Sequence, residues 1–313
     1  MSDETPLGPG GEFDLVRTML SRWGERAHGI GDDAALLAVP ASGEQLIVST
    51  DSSLEDVHFR REWLSPEEIG WRATAAALSD LAAMAAKPLG ILVAIALPRD
   101  RVDDLGGLAD GIGAAASAAG APIVGGDLTS SEHLGLTVTV MGSSSKPLRR
   151  IGARPGDTLW VTGQLGGPAV AIAAWSEGRQ PSPEARSRFA HPVPRIAEAQ
   201  WLVAAGATAG IDISDGLGGD SAHLAAASGV RVIIDVDALP RAPGADVSTA
   251  QRSGEEYELL VTTRAAFDAA AFQRDFGLAL TQIGTLEKGE AGVDLLIGGE
   301  RVASPGGYDH FSR

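Results

Sequence analysis

Aspartates recur where the apolar stretches of this chain end, and this pattern constrains the fold more than any other feature. They occur in five segments, at 29–33, 49–51, 78–81, 125–127 and 212–216. Most lie beside glycine, serine or threonine, where the backbone can turn and a carboxylate can point into a cleft. Such carboxylates repel one another unless a cation lies between them. Mg²⁺ shared with a nucleotide polyphosphate suits this arrangement, so the pattern favours phosphoryl transfer.

The composition predicts a globular, acidic protein. The chain has 313 residues, of which 44% are hydrophobic and 21% charged, and its formal net charge is −16. A nucleic acid or an anionic membrane requires a basic surface, so neither is an expected partner. Lysine occurs only at Lys87, Lys146 and Lys288. Phosphate binding would therefore depend on metals, arginines and backbone amides.

Several protein classes are excluded by what the chain lacks. It has no cysteine, which excludes disulfides, thiolate nucleophiles and zinc–thiolate sites. Its first residues lack the basic and apolar regions of a signal peptide, and no apolar run reaches the length of a membrane span. We therefore expect a cytoplasmic protein that has no membrane partner.

The pattern of apolar residues predicts an α/β chain in which helices and strands are mixed in both halves. Predicted helices lie at 12–23, 66–86, 102–120, 193–205 and 220–228, with another after the glycines at 163–167. Predicted strands lie at 46–50, 91–97, 122–126, 134–141, 158–162, 210–215, 230–236, 257–262, 280–283 and 293–297.

A segment rich in serine and arginine, at 142–156, is the predicted domain boundary. Residues 1–10, rich in glycine and proline, are expected to form a flexible tail. We expect an N-terminal domain at 11–145 and a C-terminal domain at 146–313.

Asp80 is the strongest individual candidate for a functional residue, because it lies on the apolar face of a predicted helix. Its neighbours at helical spacing are Ile69, Ala73, Ala76, Ala77 and Met84. A carboxylate among apolar side chains is costly unless it is paired, hydrogen-bonded or bound to a metal. The pattern favours metal binding, and a buried, hydrogen-bonded aspartate is the alternative.

Three other acidic segments are candidates, and the first two have a structural alternative. Asp32 and Asp33 follow a Gly-Ile-Gly turn and could bind a cation or cap the next segment. Segment 49–51 ends a predicted strand and presents hydroxyl and carboxylate oxygens that suit a hard cation, and its alternative is a strand-end turn or a helix cap. The glycines at 125–126 would allow a phosphate or an adenine to approach the backbone.

The last aspartate segment favours a site over a core strand. Its alternation places Asp212 and Ser214 on one face of a strand and Asp215 at the following turn. His58 lies seven residues after Asp51 and could contact a substrate or be a satisfied histidine. Segment 254–259 carries three glutamates around one tyrosine, and its alternative is a solvated strand edge.

The nucleotide-binding motifs of other families are absent from the sequence. It has no P-loop, no Gly-x-Gly-x-x-Gly fingerprint and no His-Arg-Asp kinase loop. A nucleotide would therefore have to be held in another way.

Together, the motifs resemble those of the thiamine-monophosphate kinase family, within the superfamily related to aminoimidazole ribonucleotide synthetase (PurM-like). The matching segments run in family order across nearly the whole chain, at 11–13, 29–34, 49–51, 57–59, 78–84, 125–127, 156–157, 162–163, 212–217, 257–259 and 307–311. The resemblance implies a two-domain PurM-like architecture whose N-terminal domain pairs with its copy in a homodimer. It also implies ATP- and Mg²⁺-dependent phosphorylation of thiamine monophosphate to thiamine diphosphate, as part of thiamine diphosphate biosynthesis.

The resemblance further implies roles for individual residues. The positions that match magnesium sites are Asp33, Ser49, Thr50, Asp51, Asp80, Asp127, Asp212 and Asp215. Those that match ATP contacts are Gly126, Asp127, Arg150 and Ser214, and those that match substrate contacts are His58 and Glu255. Asp56, Glu256 and Pro305 depart from the family pattern. Pro305 replaces an aromatic residue that packs on the substrate, a role for which Tyr308 and Phe311 are the candidates.

The implied reaction is direct, in-line transfer of the ATP γ-phosphoryl group to the phosphate of the substrate. The attacking oxygen is already ionised at neutral pH, so no catalytic base is assigned. Mg²⁺ ions would offset the repulsion between the two anionic reactants, and we expect Asp80 and Asp127 to be essential. Two alternatives remain: another ATP-using member of the superfamily, or a non-catalytic homologue that binds a nucleotide.

Overall fold

The structure is a computed structural model that describes residues 8–9, 35–38, 43–304 and 306–307. Several sequence predictions lie outside these residues, namely the helix at 12–23, most of the tail at 1–10, Asp32, Asp33, Pro305, Tyr308 and Phe311. No helix in the described part of the chain is both long and apolar enough to cross a membrane.

The first half of the chain forms a five-stranded sheet with the order β1-β2-β5-β3-β4. Its strands are β1 (Ala35–Ala38), β2 (Gln45–Leu54), β3 (Lys87–Leu97), β4 (Ile123–Ser130) and β5 (Gly135–Ser144). The β3–β4 pair is parallel and the other pairs are antiparallel. Two helices accompany this sheet, α1 (Pro66–Ala83) and α2 (Leu105–Ala118), and α1 packs against β2 and β5.

Helix α1 begins at a capping box formed by Ser65 and Glu68. The Ser65 hydroxyl accepts a hydrogen bond from the Glu68 amide, and the Glu68 carboxylate accepts one from the Ser65 amide. Pro66 suits the first turn, where a backbone N–H has no helical acceptor. The helix ends at Ala83, slightly earlier than predicted.

Two glycines bring α1 and α2 close together. A Cβ atom at Gly111 would lie 1.9 Å from the backbone oxygen of Glu67, and one at Gly70 would lie 2.3 Å from that of Leu108. No larger residue fits at either position without moving a helix. This contact fixes the position of α1, which carries Asp80.

The second half forms a seven-stranded sheet with the order β12-β11-β8-β10-β6-β9-β7. Its strands are β6 (Thr158–Thr162), β7 (Ala207–Asp212), β8 (Arg231–Asp235), β9 (Leu259–Thr263), β10 (Leu280–Glu287), β11 (Gly292–Ile297) and β12 (Glu300–Ala303). Its helices are α3 (Gly167–Ser176), α4 (Pro183–Ala190), α5 (Ile196–Ala204), α6 (Leu217–Ser228), α7 (Val247–Arg252) and α8 (Ala269–Phe276). Two sheets with their helices confirm the predicted mixed α/β class.

The two halves pack directly against each other. Trp63 of the first half stacks on Trp175 of α3, with ring centroids 5.2 Å apart. Arg186 of α4 forms an ion pair with Glu68 of α1 at 2.6 Å. These contacts hold α1 against the second half of the chain.

Four local predictions are wrong. Ser214 does not share a strand face with Asp212, because β7 ends at Asp212 and Ser214 lies in the following turn. Asp51 does not end a strand, because β2 continues beyond it and pairs with β5 along its full length. Asp127 does not follow a strand but lies within β4, where pairing with β3 outweighs the low strand propensity of the two preceding glycines. Ser143 and Ser144 form the end of β5 and not a linker. Helices α4, α7 and α8 and strands β1 and β12 were not predicted from the sequence, and the boundary between 145 and 146 stays a prediction.

Candidate active site

A cavity of about 600 Å³ lies where α1 and β2 of the first half meet α3, the end of β7 and segment 252–257 of the second half. It brings together eight of the predicted site residues: Thr50, Asp51, His58, Asp80, Asp212, Ser214, Asp215 and Glu255. Segments that are distant in the sequence therefore form one strongly acidic site.

Serine hydroxyls hold two of these aspartates. Ser49 of β2 donates a hydrogen bond to Oδ2 of Asp80, and Ser79 of α1 donates one to Oδ2 of Asp212, each at 2.5 Å. Ser79 and Asp80 are consecutive on α1, so one helical turn contacts both β2 and β7. The Asp80 carboxylate is hydrogen-bonded and also lines the cavity, and its role as a metal ligand stays a prediction.

A buried carboxylate that the sequence analysis missed holds the turn after β7. Asp220, in the first turn of α6, accepts hydrogen bonds from the backbone amides of Ser214 and Asp215 at 3.2 and 3.1 Å. Burial raises the pKa of Asp220 well above its ordinary value, and the charges of Asp215 and Asp212 raise it further. Its position in the first turn of a predicted helix was the available signal.

The segment after α7 presents Glu255 and Tyr257 to the cavity in an unusual backbone conformation. Both residues have positive φ angles, +59° and +52°, a backbone conformation that residues other than glycine rarely adopt. Their amides donate to the backbone oxygens of Ser214 and Ile213, at 2.7 and 2.9 Å. Burial raises the pKa of Tyr257 well above its ordinary value.

The other two glutamates of this segment, Glu256 and Glu258, are buried. The alternative of a solvated strand edge is therefore wrong. The Glu258 carboxylate is fully buried and is bound by Arg195 at 2.6 Å, Arg188 at 2.9 Å and the Thr162 hydroxyl at 2.6 Å. Burial favours the neutral acid, but the two arginines outweigh it and lower the pKa of Glu258. Burial raises the pKa of Glu256 to about 7, although Arg188 opposes the shift.

His58 lies in the turn that follows β2. Its Nδ1 atom accepts a hydrogen bond from the backbone amide of Leu54 at 3.1 Å. This bond fixes the ring while the side chain lines the cavity. His58 therefore has one satisfied ring nitrogen and also lines the cavity, and its contact with a substrate stays a prediction.

Four other predicted residues lie away from this lining. Ser49 reaches the site through Asp80. Gly126 and Asp127 lie on β4, an edge strand whose eight residues are all exposed. Arg150 is half-buried, and its charge lowers the pKa of Asp220. Asp33 and Tyr308 belong to the undescribed part of the chain.

The donor chemistry of the cavity fits Mg²⁺ shared with phosphates. Within residues 43–304 and the other described positions, no three His, Cys, Asp or Glu side chains could hold a metal ion by themselves. Mg²⁺ commonly binds one or two carboxylates together with substrate phosphates and waters. The cavity offers such oxygens from Asp51, Asp80, Asp212 and Asp215.

Two family models match the chain in succession. The N-terminal domain model of AIR synthase related proteins matches residues 31–144, and the C-terminal domain model matches residues 154–295. A solved complex of AaThiL with AMPPCP and TMP has a TM-score of 0.84 to this structure at 30% identity, covering 96% of this chain and 97% of the other. The fold and its site therefore define a two-domain AIR synthase related protein.

Relatives identify the branch of this class. The thiamine-monophosphate kinase of Salmonella typhimurium is 35% identical over an alignment of 330 positions, gaps included, which covers 96% of this chain and 98% of the relative. That of Mycobacterium tuberculosis is 39% identical over 246 residues, which cover 77% of this chain and 73% of the relative. The chain belongs to the thiamine-monophosphate kinase family.

Proposed function

We propose that this chain phosphorylates thiamine monophosphate to thiamine diphosphate, with ATP as the phosphoryl donor and Mg²⁺ as the cofactor. The acidic cavity carries the proposal, because it joins Asp51, Asp80, Asp212 and Asp215 from both halves of the chain. A structure that shares this fold at 30% identity was solved with AMPPCP and TMP. The activity would serve thiamine diphosphate biosynthesis, in the cytoplasm as the sequence predicts.

The proposed reaction is in-line attack by a phosphate oxygen of thiamine monophosphate on the γ-phosphorus of ATP. The new P–O bond forms as the bond to the β-phosphate oxygen breaks, and ADP leaves. Because the attacking oxygen is ionised at neutral pH, no side chain has to remove a proton. Arg252 also lines the cavity, and its guanidinium suits an anionic reactant.

The proposed magnesium ligands are the cavity aspartates and the other positions that match magnesium sites of the family. They are Asp51, Asp80, Asp212 and Asp215, with Ser49, Thr50, Asp33 and Asp127. When bound, Mg²⁺ neutralises phosphate charge and orients the reactants. Ser49 and Ser79 orient Asp80 and Asp212 through their hydrogen bonds. Asp220 holds the turn that presents Ser214 and Asp215.

We also propose that a second copy of the chain covers the exposed face and edge of the first sheet. Large apolar residues are exposed on β2, β3 and β4, namely Leu54, Leu89, Leu92, Ile123, Val124 and Leu128. A concentration of this kind is typical of a protein interface. The homodimer would also cover Gly126 and Asp127, which a single chain leaves exposed.

Sedimentation of two matched variants tests the homodimer. Leu128→Glu should shift wild-type dimers towards monomers, because it places a charge on β4. Val102→Glu changes an equally exposed residue outside the strands and should leave the dimer intact. A wild-type protein that sediments as a monomer at micromolar concentration would contradict the proposal.

Product formation tests the kinase activity directly. Purified protein is incubated with thiamine monophosphate, ATP and MgCl₂, and thiamine phosphates are separated as their fluorescent oxidation products. We expect ADP and thiamine diphosphate in equal amounts, and none when EDTA is in excess. ATP binding without product would reject the proposal in favour of a non-catalytic nucleotide-binding protein, and ATP turnover with a different acceptor would favour another superfamily reaction.

A further inference from the structure

Arg72 is a buried cation next to the site, and the site residues implied by the sequence do not include it. It lies on α1, eight residues before Asp80, and its side chain is only 3% exposed. Arginine is rarely this buried unless its charge is paired. The burial of Arg72 therefore requires a specific set of contacts.

Those contacts come from the second half of the chain. One guanidinium nitrogen, Nη1, donates to the backbone oxygen of Phe189 at 2.5 Å, and Nη2 lies 2.5 Å from Oε1 of Glu255. The guanidinium also lies over the Phe189 ring, 3.8 Å from its centroid. Arg72 thus makes one hydrogen bond, one ion pair and one stacking contact at the same time, and the ammonium group of lysine does not reproduce this combination.

Glu255 links this contact to the cavity. Its side chain is 25% exposed and lines the site, and its backbone has a positive φ of +59°. Strained backbones of this kind persist where the surrounding structure holds them, and they cluster at functional sites. The bond to Arg72 is the side-chain contact that ties Glu255 to α1, the helix of Ser79 and Asp80.

The negative charges around the cavity explain why Glu255 needs a cationic partner. Four aspartates line the same cavity as Glu255, so an unpaired carboxylate there would be repelled from the site. Arg72 offsets the charge of Glu255 at short range and fixes its direction. The aspartates remain suited to cations, while Glu255 is held as a polar contact for a substrate.

We propose that Arg72 is a positioning residue for the acceptor substrate and acts through Glu255. It holds the Glu255 carboxylate towards thiamine monophosphate, whose thiazolium ring is cationic, and couples the 254–257 segment to α1. The inference rests on the proposed function, because it assigns Glu255 to the acceptor and not to ATP.

Steady-state kinetics of Arg72→Gln, Glu255→Gln and the double variant test the inference. Each single variant should raise KM for thiamine monophosphate about tenfold, with KM for ATP changed less than about twofold. The double variant should resemble either single variant, because both remove the same interaction. Arg72→Lys should give an intermediate KM, since it keeps the charge but loses the planar guanidinium.

Arg186 supplies a matched control. It also pairs with a glutamate of α1 across the two halves, Glu68 at 2.6 Å, and lies over an aromatic ring, that of Trp175. It does not line the cavity. Arg186→Gln should therefore leave KM for thiamine monophosphate unchanged, although it removes a similar ion pair.

The outcomes separate the inference from the proposed function. An inactive wild-type protein would reject the kinase activity. An active wild type would overturn the role of Arg72 if the KM effects of Arg72→Gln and Glu255→Gln multiplied in the double variant, or if KM for ATP rose equally. If Arg72→Gln does not fold by circular dichroism, Arg72→Lys with Glu255→Gln decides the question by the same criterion.

Discussion

The carboxylates of α1 and β7 and those of segment 255–258 are held by different kinds of groups. Asp80 and Asp212 accept hydrogen bonds from serine hydroxyls. Glu255, Glu256 and Glu258 instead form ion pairs with Arg72, Arg188 and Arg195. A hydroxyl orients a carboxylate but leaves its charge in place, whereas a guanidinium offsets that charge.

This difference separates residues suited to a reaction from residues suited to structure. Aspartates that keep their charge beside a cavity can bind a cation shared with phosphates. Glu256 and Glu258 are fully buried and paired with arginines, so they stabilise the fold, and removal of either member of such a pair leaves an uncompensated charge. Glu255 is also paired with an arginine but lines the cavity, and it is the glutamate of this segment proposed above to contact the substrate. We therefore expect substitutions in the two groups to affect different properties.

Asp80→Asn should have the largest effect, and the effect should be on activity. We expect kcat for thiamine diphosphate formation to fall roughly a thousandfold, because the variant loses a charged oxygen donor at the phosphates. Its thermal midpoint should stay the same or rise, since a repulsive charge is removed. Asp110→Asn, on the exposed side of α2, is the control, and equal losses in both variants would contradict the assignment.

Glu258→Gln should have the opposite profile and lower the free energy of unfolding by about 4 kcal/mol. It leaves Arg195, which is itself largely buried, with the more distant carboxylate of Glu198 at 3.6 Å. Chemical denaturation measures the loss, with the exposed Glu132→Gln as the control. A loss below about 1 kcal/mol would show that the arginines are not held by this charge.

Glu256 should make stability depend on pH. Its folded pKa of about 7 lies above the ordinary value of 4.5, so the folded protein binds more protons than the unfolded chain between these pH values. The stability that this group contributes is complete below pH 4.5 and is lost as the pH rises through 7. The full change is about 3 kcal/mol.

Denaturation of wild type and Glu256→Gln across this pH range checks the prediction. The variant is neutral throughout, so the stability difference between wild type and variant should change by that amount between the two ends of the range. A constant difference would place the Glu256 pKa at its ordinary value.

Ser79→Ala should have the smallest of these effects, about a tenfold loss of kcat. It removes the hydroxyl that orients Asp212 and leaves the carboxylate in place. Ser79→Thr keeps the hydroxyl and is the conservative comparison. Full activity in Ser79→Ala would show that Asp212 is held by its other contacts.

The sequence predicted the site in part, and the errors have local causes. It found Asp80 and Asp212 because charged residues interrupt apolar patterns there. It missed Asp220, whose role depends on amides in the preceding turn, and Arg72, whose contacts come from Phe189 and Glu255. No spacing along the chain indicates contacts of this kind.

Local sequence determined the elements and their capping, because these depend on neighbouring residues. Ser65, Pro66 and Glu68 specify the start of α1, and the motif series specified the family. Tertiary structure decided which carboxylates meet and what holds each one. The bond between Ser79 and Asp212 spans 133 residues, so only the packing of α1 against the second half could bring these two side chains together.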